Sequence, residues 1–368
     1  MLIDSKKQLV PANIEQLNAY TAGKTIAEVR EKYHLSRISK LASNENRLGC
    51  SPKVYEAVRE AVQEIQDYPD SVSRLLRGEL ARKFNVKPEN VIAGAGSESL
   101  LSNIMRTFFR DHEEALTADA TFVGFFVQAN IHGVRYHEIS LTDDYRFDLD
   151  ALLEAITPNT KLIYIANPNN PTGTYVTREE FERFMRRIPD DMLVVMDEAY
   201  YEFASEELDY PDSLEYRFDN VITLRTFSKA YGLAGLRVGY GLGAASVIQY
   251  MQKTKLTFEP NALAQAGALA AMKDQDFLNK SIEMVYRGRE RLYDIFDRFD
   301  LHYVRSYSNS VMVIFESKNE AASFTEEMIK KGVILRQLQA FGLPHCVRIT
   351  VGTEKELDHL EQSLLTIR

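Results

Sequence analysis

Between Val91 and Gly243 short apolar runs alternate with longer stretches of helical periodicity, and this alternation limits the chain to few folds. The runs Val91-Ile92-Ala93, 161–167 (KLIYIAN), 192–197 (MLVVMD), 221–224 (VITL) and 238–243 (VGYGLG) read as strands. Strands alternating with helices build an α/β core, a mostly parallel central sheet flanked by helices. Ligands of such sheets settle beyond the carboxyl ends of the strands. Gly94, Asn167, Asp197 and Thr226 all fall at or near those ends. From about Glu259 the pattern changes to long helical runs at 262–272 and 278–299, followed by candidate strands at 311–315 and 347–351. The expected organisation is a large domain over 41–258 and a smaller α+β domain over 259–368, with the N-terminal arm, 1–40, packing with the smaller one.

The charge balance narrows the function. Lys plus Arg number 44 against 53 Asp plus Glu, a net charge of −9, which opposes nonspecific attraction to nucleic acid. Any anion must therefore be held in a local basic pocket. The two cysteines, Cys50 and Cys346, lack zinc-type or C-x-x-C spacing, so neither a disulfide framework nor a metal site is expected. No stretch approaches the ~18 uninterrupted apolar residues of a membrane span, and the N-terminus lacks a signal-peptide core. A cytoplasmic protein without membrane or nucleic-acid partners is the expectation.

The candidate chemistry sits in four short stretches. Thr226-Phe227-Ser228-Lys229 follows a strand and is followed by Arg237. The lysine amine can condense with a carbonyl as a Schiff base, while two hydroxyls and a guanidinium suit a phosphate. Asp197 closes the strand at 192–197 and opens Asp-Glu-Ala-Tyr. A carboxylate there either caps a helix or faces a pyridine nitrogen and keeps it protonated. Tyr200 then either donates to the ring oxygen or is a core residue. The loop 167–173 (NPNNPTG) holds two prolines that restrict the backbone around Asn170. Gly94-Ala95-Gly96-Ser97-Glu98-Ser99 lies between a strand and a helix, where backbone N–H groups and the Ser97 hydroxyl can cradle an anion. It is a poor dinucleotide fingerprint, because its sixth position is Ser99.

These stretches occur together and in order, and the chain resembles the fold-type I aminotransferases that use pyridoxal 5'-phosphate, most closely the histidinol-phosphate aminotransferase family. The resemblance runs from 41–46 (LASNEN) through Tyr68-Pro69-Asp70, the 94–99, 167–173 and 197–200 stretches, and 226–237 to 347–353 (VRITVGT). It implies that Lys229 forms the Schiff base with the cofactor, that Asp197 pairs with the pyridine nitrogen, and that Tyr200 and Asn170 bind the ring oxygen. It implies a phosphate held by Ser97, the Glu98 backbone, Thr226, Ser228 and Arg237, with Phe122 stacked on the ring. Tyr68 matches a residue that reaches the neighbouring subunit's cofactor phosphate, which implies a homodimer with shared sites. Tyr20, Arg336 and Arg348 match substrate-binding positions. Arg348 also matches the arginine that holds the carboxylate of the second substrate, 2-oxoglutarate. The implied reaction is ping-pong transamination of histidinol phosphate in histidine biosynthesis. An aromatic-amino-acid aminotransferase is the nearest rival, on the stretch 339–350 (QAFGLPHCVRIT), and a threonine-phosphate decarboxylase a more distant one. Two positions depart from the family's habit: Arg47 stands where proline is usual, and Ser99 where an acidic residue is common.

Overall fold

The computed structural model describes residues 9–17 and 23–367. Seven strands form the central sheet in the order Val91–Gly94, Gly239–Leu242, Val221–Thr226, Leu193–Asp197, Thr160–Ala166, Glu114–Ala118 and Arg135–Ile139. Neighbours from Val221–Thr226 to Arg135–Ile139 run parallel. Gly239–Leu242 alone is antiparallel to both strands beside it. The expected mostly parallel sheet is therefore present. Its inner strands read as apolar runs because helices cover both faces, so that Leu193–Asp197 is buried at every residue.

Two strands had no legible run. Glu114–Ala118 is wholly buried yet carries Glu114 and Thr117. Both polar groups are satisfied: Thr157 Oγ1 donates to Glu114 Oε1 at 2.6 Å and Thr117 Oγ1 donates to the Tyr164 carbonyl at 3.0 Å. Arg135–Ile139 is the sheet's edge, largely exposed, and its sequence RYHEI is polar for that reason.

A second, antiparallel sheet of four strands has the order Arg336–Leu338, Leu343–Thr350, Ser310–Ile314, His302–Val304. Helices Gln275–Arg298, Lys318–Lys330 and Glu354–Ile367 pack around it. The strand Ser39–Lys40 pairs in parallel with Val333–Ile334. The helix Ile26–Tyr33 buries Val29 against Ala42, Ile329 and Ile334 on this part of the molecule. The short helix Ala12–Glu15 goes elsewhere. Asn13 Nδ2 donates to the Asn130 carbonyl at 2.9 Å, at the end of helix Val123–His132 beside the central sheet. The N-terminal arm thus touches both parts of the structure, where the sequence suggested only the smaller. Arg47 takes up a tie of its own, with Nη2 2.7 Å from Glu356 Oε1 on the last helix. Among the described residues no helix is long and apolar enough to cross a membrane, and no group of acidic, His and Cys side chains is arranged to hold a metal ion.

Candidate active site

The strand Val91–Gly94 ends in a tight turn at Gly96, whose φ of +88° precedes the helix Ser97–Phe108. Glycine is favoured here by its backbone, and its missing side chain also leaves room for Arg237. The backbone is in a region that side chains disfavour, and a Cβ on Gly96 would lie 2.7 Å from Arg237 Nη2. The helix has no side-chain N-cap, so its first N–H groups face the turn without that partner. From the other side, strand Val221–Thr226 delivers Thr226 and Ser228, both buried. Thr226 Oγ1 donates to Ser228 Oγ at 3.0 Å and accepts from the Ser228 N–H at 3.1 Å. Arg237, at φ +57°, is held by the Ala234 carbonyl at 3.2 Å. Helix N-terminus, two hydroxyls and a guanidinium converge as an anion cradle.

The carboxyl end of Leu193–Asp197 supplies the second pole. Asp197 is buried, and its carboxylate accepts from Tyr164 Oη at 2.7 Å and from the Ala199 N–H at 3.2 Å. Burial pushes its carboxyl up to about 6, against the downward pull of those two hydrogen bonds and of the Lys229 charge. A buried carboxylate so placed gains from a cationic partner. The Lys229 ammonium lies 5.6 Å from the Tyr200 ring centre. Asn170 projects from a loop pinned by its neighbours: Tyr210 Oη donates to the Asn167 carbonyl at 2.6 Å, and Thr121 Oγ1 donates to Asn169 Oδ1 at 2.8 Å. Ser97, Glu98, Phe122, Asn170, Asp197, Tyr200, Thr226, Ser228, Lys229 and Arg237 all line one cavity of about 200 Å³.

A second cavity, about 150 Å³, shares Phe122, Asn170, Tyr200 and Lys229 with the first. Arg336 and Arg348 line it, opposite each other in register on adjacent antiparallel strands. Arg348 is buried: Nη1 donates to Asn170 Oδ1, Nη2 donates to the Ala42 carbonyl at 2.9 Å, and the guanidinium lies over Phe341 at 5.4 Å. Two like charges side by side are relieved by an anion between them. Lys229 thus lines both the cavity that holds the anion cradle and Asp197 and the one lined by arginines.

Of the described residues given a catalytic or binding role in the sequence, all but Tyr68 line these cavities. Tyr68 is 81% exposed and stacks on Phe258 with ring centres 4.2 Å apart, so within one chain it takes no part in the site. Tyr20 lies outside the described residues. Sequence reading gave no role to Tyr164, Asn44 or Phe341. Tyr164 was the detectable one, as the only side chain with a polar tip between Leu162 and Ala166 of its strand. Asn44 and Phe341 reach the site through tertiary contacts that no local pattern announces. Ser99 donates back to the Gly96 carbonyl at 3.2 Å and closes the first helical turn.

The donor set fits a phosphorylated pyridine aldehyde: an amine, a buried carboxylate that needs a cation, and an anion cradle with room left by Gly96. Comparison with known proteins agrees. Residues 36–364 match the family described as aminotransferase class I and II. The histidinol-phosphate aminotransferase of Bacillus licheniformis is 40% identical over 349 residues, 94% of this chain and 96% of that protein. That of Bacillus subtilis is 39% identical over 353 residues, 95% and 97% of the two chains. The structure of the histidinol-phosphate aminotransferase from Sinorhizobium meliloti in complex with pyridoxal 5'-phosphate superposes with a TM-score of 0.89 at 28% identity, covering 99% of this chain and 100% of that one. The chain belongs to the class I and II aminotransferases.

Proposed function

We propose that this pyridoxal-phosphate-dependent aminotransferase transfers the amino group of histidinol phosphate to 2-oxoglutarate. The observation that carries the reading is the lysine shared by the two cavities, one suited to the cofactor and the other to an anionic substrate. When bound, pyridoxal 5'-phosphate supplies an aldehyde carbon to carry the amino group and a ring to spread the charge left at the substrate Cα.

The chain's residues do the rest. Ser97, the Glu98 backbone, Thr226, Ser228 and Arg237 hold the cofactor phosphate. Asp197 holds a proton on the pyridine nitrogen, its carboxylate braced by Tyr164 and the Ala199 N–H. Tyr200 and Asn170 hydrogen-bond the ring oxygen, and Phe122 covers the ring. Lys229 holds the cofactor, then moves the proton at the substrate Cα as general base. Arg336 and Arg348 bind the phosphate of histidinol phosphate, and Arg348 the carboxylate of 2-oxoglutarate. Because Arg348 also fixes Asn170, anion capture and ring-oxygen binding share one contact.

The exposed Tyr68 suits a side chain given to a second copy's cofactor phosphate, in a homodimer with shared sites. The two free cysteines suit a reducing cytoplasm. Phe341 and Phe122 give the arginine-lined cavity apolar faces, and these favour phenylalanine or tyrosine as the rival substrates. Initial rates with histidinol phosphate, phenylalanine and tyrosine, each with 2-oxoglutarate, decide between them. The expected result is parallel double-reciprocal lines and a kcat/KM highest for histidinol phosphate. A higher value for phenylalanine overturns the substrate, and full turnover by Lys229→Ala overturns the mechanism.

A further inference from the structure

Asn44 is buried beside the two cavities, on the segment that leads from the Ser39–Lys40 strand. Its backbone is left-handed, φ +54°, a conformation in which asparagine is enriched. There it meets Thr350 twice: its N–H donates to Thr350 Oγ1 at 3.0 Å, and its Oδ1 accepts the Thr350 hydroxyl at 3.0 Å. Asn309 Nδ2 donates to the Asn44 carbonyl at 2.9 Å. The side-chain nitrogen that remains donates to Tyr200 Oη at 2.9 Å. Asn44, Thr350, Asn309 and Tyr200 are each no more than 3% exposed, so water does not compete for these bonds.

The direction of each bond follows from the inventory of hydrogens. The Thr350 oxygen accepts the Asn44 N–H through one lone pair, and its single hydrogen is donated to Asn44 Oδ1. That occupies the carboxamide oxygen and turns the NH2 toward Tyr200. A phenol has one hydrogen and two lone pairs. Asn44 can only donate through Nδ2, so it takes a lone pair of Tyr200 and leaves the phenolic hydrogen for the cavity. An acceptor in the same place would draw that hydrogen back out of the cavity.

We propose that Asn44 is a positioning residue that sets the polarity of Tyr200: Thr350 fixes the amide, the amide fixes the hydroxyl, and the hydroxyl faces the cofactor's ring oxygen as a donor. The inference rests on the reading of Tyr200 given above. It also ties two halves of the site together. Thr350 lies two residues beyond Arg348, and Ala42, two before Asn44, accepts from Arg348 Nη2. One short segment, 42–44, therefore steadies both the substrate arginine and the ring-oxygen donor.

A donor on the ring oxygen favours its anionic form, so losing it raises the pH at which the bound cofactor's visible absorbance titrates. The test is that titration, on protein loaded with pyridoxal 5'-phosphate, with the cofactor's dissociation constant measured alongside. Asn44→Asp keeps the shape and the Thr350 contact but replaces the donor by an acceptor. Its midpoint is expected to rise by roughly one pH unit, the equivalent of one charge-assisted hydrogen bond, with cofactor affinity falling on the order of tenfold. Tyr200→Phe is expected to give a rise of the same size, and the double variant no more than either. Thr350→Val, which frees the amide to turn, is expected to share the shift, whereas Thr350→Ser keeps the wild-type midpoint. An unchanged midpoint in Asn44→Asp, or a shift that persists undiminished in the Tyr200→Phe background, overturns the proposal. If Asn44→Asp does not fold, a wild-type midpoint in Thr350→Val overturns it equally. Failure of the wild-type protein to take up the cofactor with a band that Lys229→Ala abolishes instead overturns the reading of the site, and the proposal falls with it.

Discussion

Asp197→Asn should make the cofactor-free protein more stable at neutral pH while destroying its activity. The carboxyl of Asp197 is pushed from 3.8 up to about 6, chiefly by burial. A group whose folded-state pKa is raised contributes stability that is fully present below about 3.8 and is lost as pH rises through about 6. A rise of roughly two units corresponds to ~3 kcal/mol at pH 7.5 and to about half of that at pH 5, where the folded protein keeps most of the proton. Asparagine carries no charge and escapes this cost. It can accept from the Ala199 N–H as before, but its NH2 group cannot accept the Tyr164 hydroxyl, a loss of about 1 kcal/mol. The net expectation is a variant about 2 kcal/mol more stable than wild type at pH 7.5 and within roughly 0.5 kcal/mol of it at pH 5. The chain has no tryptophan, so urea unfolding followed by circular dichroism at the two pH values is the suitable assay. Added pyridoxal 5'-phosphate should then stabilise wild type more than the variant, because binding to the native state alone adds RT ln(1 + [L]/Kd). A variant less stable than wild type at pH 7.5, or a difference that does not change between pH 5 and 7.5, would refute the argument that burial of this charge is a cost the cofactor relieves.

Two further outcomes follow from the framework beneath the site. Arg225 is fully buried, with Nη2 2.6 Å from Glu198 Oε2 and 2.7 Å from Asp212 Oδ1. Arg225→Ala strands a buried carboxylate and should cost about 3–5 kcal/mol in urea unfolding, and a loss below ~1 kcal/mol would mean that Glu198 is relieved by solvent or by taking up a proton. Gly232 has φ +74°, and a Cβ there would lie 1.9 Å from the Gly49 carbonyl oxygen. Gly232→Ala should therefore cost at least roughly 1–3 kcal/mol of backbone strain, against a near-neutral Gly235→Ala, whose Cβ meets nothing within 4 Å. Equal melting temperatures for the two would sink that contrast.

The strand ends that bear the candidate site residues were readable because the central strands are apolar on both faces and stop where the chain turns polar. Asp197, Asn167 and Thr226 stand at those stops. The polar strand Glu114–Ala118 escaped because its polar side chains are satisfied by partners far off in the sequence, the Thr157 hydroxyl and the Tyr164 carbonyl. Tyr164 stood out as the one polar-tipped side chain between Leu162 and Ala166, but its bond to Asp197 did not. Its position two strand residues before Ala166 marks it as core, and only the pairing of Tyr164 with Val195 on the neighbouring strand brings its hydroxyl to the carboxylate. Arg336 and Arg348 were visible as arginines in a motif. That they stand opposite each other is a property of strand register.

The anion cradle shows why local patterns fall short even where a motif is strong. Ser97 follows the edge strand Val91–Gly94, and Thr226 ends a strand that is not its neighbour. The antiparallel strand Gly239–Leu242 is inserted between them, and a side chain on it at the level of the cradle would hold the two apart. Gly239 sits at that level: it pairs with both Gly94 and Thr226, and a Cβ there would lie 2.7 Å from the Ser97 N–H nitrogen and 3.1 Å from the Arg225 carbonyl. The absence of a side chain at Gly239 is therefore a condition for the helix start to close on the strand, and the cradle depends on a residue that makes no contact through a functional group. Gly239→Ala should then loosen the cofactor's phosphate more than it loosens the fold. The expected result is a rise in the cofactor dissociation constant on the order of tenfold or more, from a misplaced set of charge-assisted bonds, with the helix content of the protein unchanged. A variant that binds the cofactor as wild type does would show that the helix start has room to shift, and that the close approach is incidental to binding.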